Sequence, residues 1–219
     1  VTFDAANVRI TRAGTSFTVS GDNPWTGAIV TLQRAGERYV EPALASLEAS
    51  LEEGLPLELA LTAATSSSRG ERWDMQALYP SPGILVLNDA SEATPSTTIA
   101  ALKTLAELAL DGSRSIAVLG EVDVDDPTEW REEHDRIGRI VVRLNISKLV
   151  VVGDGARHIH NAAGLEGSWD GESVLVGTAE EAYDLLGVDL RDGDVVLVKS
   201  SASAGLGSLG DRLGGADSW

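Results

Sequence analysis

The stretch at residues 115–155, SIAVLGEVDVDDPTEWREEHDRIGRIVVRLNISKLVVVGDG, limits the fold more than any other part of the chain. It opens with an apolar run, Ile116, Ala117, Val118 and Leu119, that stops at Gly120-Glu121. It closes with a second run, Leu149 to Val152, that stops at Gly153-Asp154. Between them Trp130, His134, Ile137, Val141 and Leu144 recur at spacings of three and four, one face of an amphipathic helix. Strand, helix and strand in this order form a βαβ unit, whose strands must be parallel. Both runs are short, β-branched and apolar on either side, as strands covered by helices on two faces require.

The flanking segments extend this unit. Ile99, Leu102, Leu105 and Leu108 predict a helix before it. After it come a strand at 173–176, a helix carrying Ala182, Leu185 and Leu186 behind a Thr178/Glu181 capping box, and a last strand at 194–198. Segments 73–78 and 84–87 flank Tyr79-Pro80-Ser81-Pro82-Gly83, a turn signal, and predict an antiparallel edge hairpin. Residues 200–215 are rich in Gly and Ser, with one helical turn at 209–213. The first third reads differently. Strands are predicted at 8–11, 16–19 and 28–33, with a hairpin turn at 12–15. One helix carries Val40, Leu44, Leu47 and Leu51 and ends at Gly54; a second covers 55–64 with Pro56 in its first turn. The polar run at 65–70 reads as a linker. The expectation is a partial α+β segment at 1–70, followed at 71–219 by a Rossmann-like α/β domain: a mostly parallel sheet with helices on both faces.

Charge narrows the function. Thirty-four acids against 17 bases give a net charge of −17, and the chain has only three lysines. Nucleic acid is therefore not an expected partner, since phosphate binding needs clustered Lys and Arg. The absence of cysteine excludes disulfides, thiolate metal sites and Cys nucleophiles. No apolar run approaches the ~20 residues that span a bilayer, and no signal peptide is read. The expected setting is the cytoplasm.

In an open parallel sheet, ligands bind beyond the carboxyl ends of the strands. Those ends are Asn88-Asp89, Gly120-Glu121, Gly153-Asp154, Gly177-Thr178 and Lys199-Ser200-Ser201. Asp89 opens a polar loop that leads to Pro95 at a helix start. Lys199 ends a buried strand and enters a small-residue loop through Ser201 and Gly205 that can approach a phosphate or carboxylate closely. Lys199 suits a bound anion and equally suits pairing with a surface acid. His158 and His160, two apart, would suit a metal on a strand, but no third ligand stands at a telling spacing, and the pair reads as part of a solvated loop. Asp123, Asp125 and Asp126 lack the Gly and terminal Glu of a calcium loop and read as solvated. His134 reads as a packed core histidine. No lysine follows a glycine, so no P-loop can be written.

Four blocks, LVLNDASEATPSTTIAALKTLAEL, SIAVLGEV, EEHDRIGRIVVRLNISKLVVVGDG and RDGDVVLVKSSASAGLG, resemble in order and spacing the C-terminal domain of the Mur ligases. The resemblance covers residues 72–213 and is nearest to the actinobacterial type that joins D-alanyl-D-alanine to UDP-N-acetylmuramoyl-tripeptide. More loosely, residues 35–61 resemble the end of that family's central domain. The resemblance implies ATP- and magnesium-dependent amide formation in peptidoglycan precursor synthesis, through an acyl phosphate attacked by the dipeptide amine. It also implies that the P-loop and magnesium ligands belong mainly to a central-domain half not found in this chain, so no cofactor is expected for the chain alone. That half would come from a missing N-terminal portion or a partner chain.

Several positions depart from the family pattern. Arg38 stands for its His, Pro42 for the Asn that serves the nucleotide, and Asp74 for an Arg. Ser91, Glu92 and Thr94 replace the Tyr and two Asn of its acidic loop. Asp89, Pro95, Gly120, Glu121, His134, Gly138, Lys199 and Gly205 are kept. Asp89, Pro95, Glu121, Lys199, Ser201 and Gly205 are the candidates for binding nucleotide or a substrate such as D-alanyl-D-alanine. Two functions stay open: part of a D-alanyl-D-alanine-adding ligase, or a ligase-like binding or scaffolding module without catalysis.

Overall fold

The computed structural model describes residues 1–67, 72–81, 83–110, 112–166 and 169–216. The chain divides into two compact units, Val1–Glu71 and Arg72–Trp219. The first holds an antiparallel sheet in the order β1 (Asp4–Thr11), β2 (Gly14–Ser20), β3 (Ile29–Leu32). Helices α1 (Val40–Glu52) and α2 (Leu57–Ser67) belong to the same unit. Phe17, Val19, Val30 and Leu32 pack with Leu44, Leu47, Ala60 and Ala64 in its core. The β1–β2 turn is tighter than predicted: Thr11 pairs with Gly14, leaving two residues at the tip. Strand β1 reaches back to Asp4 through an irregularity at Asn7, whose φ is +53°, and this break hid the first half of the strand from its alternation. Of the predicted linker, residues 65–67 continue α2, and residues 68–70 lie outside the described residues.

The second unit is built on six strands. These are β4 (Gln76–Leu78), β5 (Leu85–Asp89), β6 (Ser115–Leu119), β7 (Lys148–Val152), β8 (Glu172–Val176) and β9 (Val195–Lys199). They lie in the order β4-β5-β9-β6-β7-β8, with β4 antiparallel and the others parallel. The last strand thus enters the middle of the sheet, between β5 and β6. All residues of β5, β6, β7 and β9 are buried, as their unbroken apolar runs predict, whereas edge strand β8 stays partly exposed.

Helices α3 (Pro95–Leu108), α4 (Trp130–Arg143) and α5 (Arg157–Leu165) pack in sequence beside one another. α6 (Ala179–Asp189) and α7 (Gly207–Leu213) pack together as a second group. Val86, Ile116, Val118, Val150, Val152, Val196 and Val198 meet Ala182, Leu186, Leu206, Leu209 and Leu213 from that second group. The alternate residues, Leu87, Ala117, Leu119, Leu149, Val151 and Leu197, point to the opposite face. Helices therefore cover both faces, and the mostly parallel α/β architecture matches the reading from sequence.

The predicted strand at 73–78 is shorter. Trp73 and Met75 have φ of +64° and +46°, a left-handed conformation that cannot continue a ladder, so pairing starts only at Gln76. The turn at 79–83 includes residue 82, which lies outside the described residues. The Thr178 hydroxyl accepts from Glu181 N–H as expected, but the Glu181 carboxylate reaches back to Gly177 N–H at 2.8 Å.

Gly138 allows α4 and α5 to cross closely. A Cβ there would overlap the Ile159 carbonyl oxygen and lie 2.9 Å from Ala162 Cβ. Gly138→Ala should therefore destabilise the chain by ~1–3 kcal/mol, reversing the gain of ~1 kcal/mol that alanine usually brings to a helix interior. A urea midpoint unchanged or raised in this variant would show that the two helices can separate at no cost.

Candidate functional site

The carboxyl ends of β5, β9 and β6 lie side by side, and five of the six sequence-derived candidates fall on them or on the loops they start, with Pro95 at the start of the helix that follows β5. Asp89 and Lys199 are register partners on adjacent parallel strands, so their side chains share a face. The Lys199 ammonium lies 2.7 Å from Asp89 Oδ2, with side chains 0% and 1% exposed. It also donates to the carbonyl oxygen of Glu92 at 2.9 Å, while Asp89 Oδ1 accepts the Met75 N–H at 2.9 Å. One buried ion pair thus ties the sheet to the loop after β5 and to the backbone before β4. Sequence reading offered Lys199 a bound anion or a surface acid; the structure gives it a buried acid, because β9 sits inside the sheet rather than at its edge.

The other candidates frame the same edge. Ser201 N–H donates to the Glu121 carbonyl at 2.8 Å, and Gly120 N–H donates to the Lys199 carbonyl at 3.0 Å, joining the loops after β9 and β6. The Ser201 hydroxyl lies 2.9 Å from that of Ser203 and accepts the Ala204 N–H, capping a short turn that Gly205 ends with φ of +69°. Gly120 has no room for a side chain, since a Cβ would come within 2.8 Å of Ser200 Cβ. Pro95 occupies the first turn of α3 behind Thr94, whose hydroxyl accepts the Thr97 N–H while Thr97 Oγ1 accepts the Thr94 N–H. The Glu121 side chain is half-buried and lies against Gly155, at the turn after β7. Its carboxylate accepts no hydrogen bond from a described residue. Among the six it is the one with an uncommitted charge.

His134 is fully buried, as predicted for a packed histidine. Its Nδ1 lies 2.7 Å from the Trp130 carbonyl, and its Nε2 is 3.3 Å from the Val122 nitrogen. Nδ1 therefore carries the proton and Nε2 accepts from the Val122 N–H, fastening α4 to the loop after β6. Burial pushes the pKa of this ring below the ordinary histidine value, over weaker opposing pulls from the Trp130 carbonyl and Glu121. His158 and His160 lie on helix α5, neither on a strand nor in the solvated loop expected from the sequence, because residues 157–165 continue as a helix that packs on α4. His158 faces Asp135 at 3.7 Å and His160 bonds the Ser173 hydroxyl at 2.6 Å. Asp126 accepts from the side chain and backbone of Thr128, which lower its pKa, within an exposed loop. Among the described residues no three His, Asp or Glu side chains converge to hold a metal.

One cluster escaped sequence reading. Asp211 on α7 accepts from the Arg72 guanidinium at 2.7 Å, Trp73 Nε1 at 2.9 Å and Asn88 Nδ2 at 3.0 Å. The Trp73 ring fills the space beside Gly207, and the Asn88 amide fills that beside Gly210. An aspartate inside the Leu209–Leu213 turn was the available signal, since a buried acid demands partners.

Comparison with known proteins places these observations. A model of the Mur ligase, glutamate ligase domain matches residues 72–202, beginning where the second unit begins. The UDP-N-acetylmuramoyl-tripeptide–D-alanyl-D-alanine ligase of Mycobacterium leprae is 38% identical over 213 residues, covering 91% of this chain and 41% of that protein. The Mycobacterium tuberculosis ligase of the same name is 39% identical over 202 residues, 85% of this chain and 39% of that protein. The chain thus spans about two fifths of the length of these relatives. In fold it is similar to MurF from Acinetobacter baumannii, with a TM-score of 0.78 at 21% identity over 97% of this chain and 45% of that one. It is also similar to the MurF ligase of Thermotoga maritima in complex with ADP, with a TM-score of 0.77 at 15% identity over 98% of this chain and 46% of that one.

Two outcomes follow from the geometry. Removing one member of the buried pair, as in Asp89→Leu or Lys199→Met, should cost ~3–5 kcal/mol, whereas the double variant should cost much less than the sum. Additive losses in a urea-unfolding cycle would show that the two charges are not coupled. The neutral His134 ring contributes stability that is full above the ordinary histidine pKa of about 6.5 and is lost as pH falls through it toward the folded-state value. The urea midpoint should drop more between pH 7.5 and 5.5 in the native chain than in His134→Gln. Equal drops would assign the pH dependence to other groups.

Proposed function

The chain belongs to the Mur ligase family, and on that premise we propose that it is the C-terminal part of an ATP-dependent ligase that adds D-alanyl-D-alanine to a UDP-N-acetylmuramoyl-tripeptide. The observation that carries this reading is the convergence of the loops after β5, β6 and β9 at one edge, with the family's Asp89, Glu121, Lys199 and Gly205 in place. In this reading residues 1–70 are the closing portion of the central domain, and residues 71–219 are the domain that meets the dipeptide. The likeness to MurF over 97% of the chain supports that division. A cytoplasmic place of action belongs to the same reading. No helix among the described residues is long and apolar enough to cross a membrane.

Each candidate then has a physical task. Lys199 and Asp89 neutralise one another, so they position the loop at 90–94 rather than bind the ligand directly. Glu121 offers a half-buried carboxylate suited to the dipeptide ammonium. The exposed Ser203 hydroxyl lies at the same end of the sheet, held by the buried Ser201 hydroxyl that caps the turn ending at Gly205. ATP would supply the phosphoryl group that activates the acyl donor. No P-loop can be written in this sequence, and in this reading the nucleotide's phosphates and magnesium would be held mainly by the rest of the ligase.

A second reading rests on the departures in the first unit. The Arg38 guanidinium lies 4.8 Å from the centre of the Tyr39 ring and donates to its hydroxyl at 2.6 Å, and Pro42 has no side-chain hydrogen bond to offer a nucleotide. A ligase-like module without catalysis would tolerate both.

A thermal-shift titration with D-alanyl-D-alanine, Mg-ATP and both together separates the readings. Ligand at ~100 times its Kd contributes about 2.7 kcal/mol of stability. The dipeptide should raise Tm in the native chain and fail to do so in Glu121→Gln. No shift with any ligand would favour the non-catalytic module. A shift with Mg-ATP alone would place a nucleotide site inside this chain and overturn the division proposed here.

A further inference from the structure

A concavity of about 540 Å³ lies along the α4–α5 pair and is lined by Arg131, Asp135, Arg139, His158, His160 and Asn161, with Ala162 and Leu165 on its apolar side. Its size falls within the ~300–1,000 Å³ range of small-molecule sites. The close crossing at Gly138 brings the two helices together, so that residues one turn apart on α4 face residues one turn apart on α5. In a chain of net charge −17 this groove gathers two arginines and two imidazoles beside Asp135 and Glu166.

The charges inside it are unequally matched. Asp135 turns to Arg131 at 3.8 Å and to His158 at 3.7 Å. Arg139 lies one turn after Asp135 yet makes no ion pair or hydrogen bond with a described residue, although it is half-buried. A guanidinium held partly out of water has donors in a fixed fork suited to carboxylate or phosphate. Among the described residues no acid uses that fork. His160 is oriented by the Ser173 hydroxyl through Nδ1, which leaves its Nε2 for another partner, and the exposed Asn161 amide borders the same space.

We propose that the α4–α5 groove is a binding site for a small organic anion whose carboxylate or phosphate head pairs with Arg139 and whose apolar part rests on Ala162 and Leu165. Asn161 and His160 orient the head by hydrogen bonds. The site stands on different residues from those at the strand ends, so it holds whether or not the ligase reading does.

The test is an NMR titration of the full chain with citrate and, separately, pyrophosphate, at constant pH and at ionic strength matched with sodium chloride. Saturable shifts of the Asn161 side-chain amide and of the His158 and His160 rings are expected. Arg139→Gln should weaken binding at least tenfold, whereas Arg143→Gln, which removes the same charge from an exposed position of α4, should leave it within about twofold. Citrate acting alone would assign the site to carboxylates, and pyrophosphate alone to phosphates. Equal losses in the two variants would reduce the effect to diffuse electrostatics and overturn the proposal, as would shifts that never saturate. Should Arg139→Gln melt far below the native chain, Asn161→Ala replaces it, with a loss of several-fold expected and no change counting against the site.

Discussion

The second unit depends on burying a positive charge. Strand β9 enters the sheet between β5 and β6, and its last residue is Lys199. An isolated ammonium at that depth would cost several kcal/mol. The register removes the difficulty by placing Asp89 opposite it on β5, and Glu92 adds a carbonyl. Because the pair satisfies its bonds through the loop at 90–94 and the Met75 backbone, closing the sheet also shapes the loops around it. The electrostatic requirement of the core and the geometry of the candidate site are one constraint.

The opposite edge is held differently. Arg114, just before β6, pairs with Asp194 at 2.7 Å and Asp189 at 3.2 Å. Lys148, at the start of β7, pairs with Asp189 at 3.0 Å and Glu172 at 3.1 Å. Burial opposes the charge on Lys148, but Asp189 and Glu172 outweigh it and raise its pKa. Asp189 is likewise held lowered, since Lys148 and Arg114 overcome its burial. These residues bind the strand starts to the end of α6 and offer no uncommitted acid. At the carboxyl ends the ion pair is internal, and what reaches the surface is the half-buried Glu121 and the exposed Ser203, while Ser200 and Ser201 are buried. The strands therefore have their starts closed by charge pairing, while their carboxyl ends, where open α/β sheets bind ligands, carry the candidate site.

Much of the candidate site's placement was legible because it follows from local pattern. An apolar run ended by a polar residue marks a strand end, and that rule alone located Asp89, Glu121 and Lys199. Pro95 and Gly205 were legible because few residues suit a helix start or a left-handed turn. Partners were not. That Lys199 meets Asp89 depends on β9 lying next to β5, a neighbour 110 residues away along the chain. Asp211 was missed for a related reason, since its three donors come from Arg72, Trp73 and Asn88, all distant in sequence. The strand predicted from Trp73 failed because apolar and aromatic composition does not reveal φ, and two residues there adopt left-handed conformations.

By itself the sequence determined the alternation of strands and helices, the parallel class of the sheet, the packed His134 and the family blocks. Those depend on periodicity, capping and residue type, all carried by near neighbours. Only the tertiary structure decided that the last strand lies inside the sheet, that Lys199 is spent on a buried acid, that His158 and His160 sit on a helix, and that Arg139 pairs with no acid among the described residues. Each of these is a long-range pairing, fixed when burial forces every charge and every polar group to find a partner or remain at the surface.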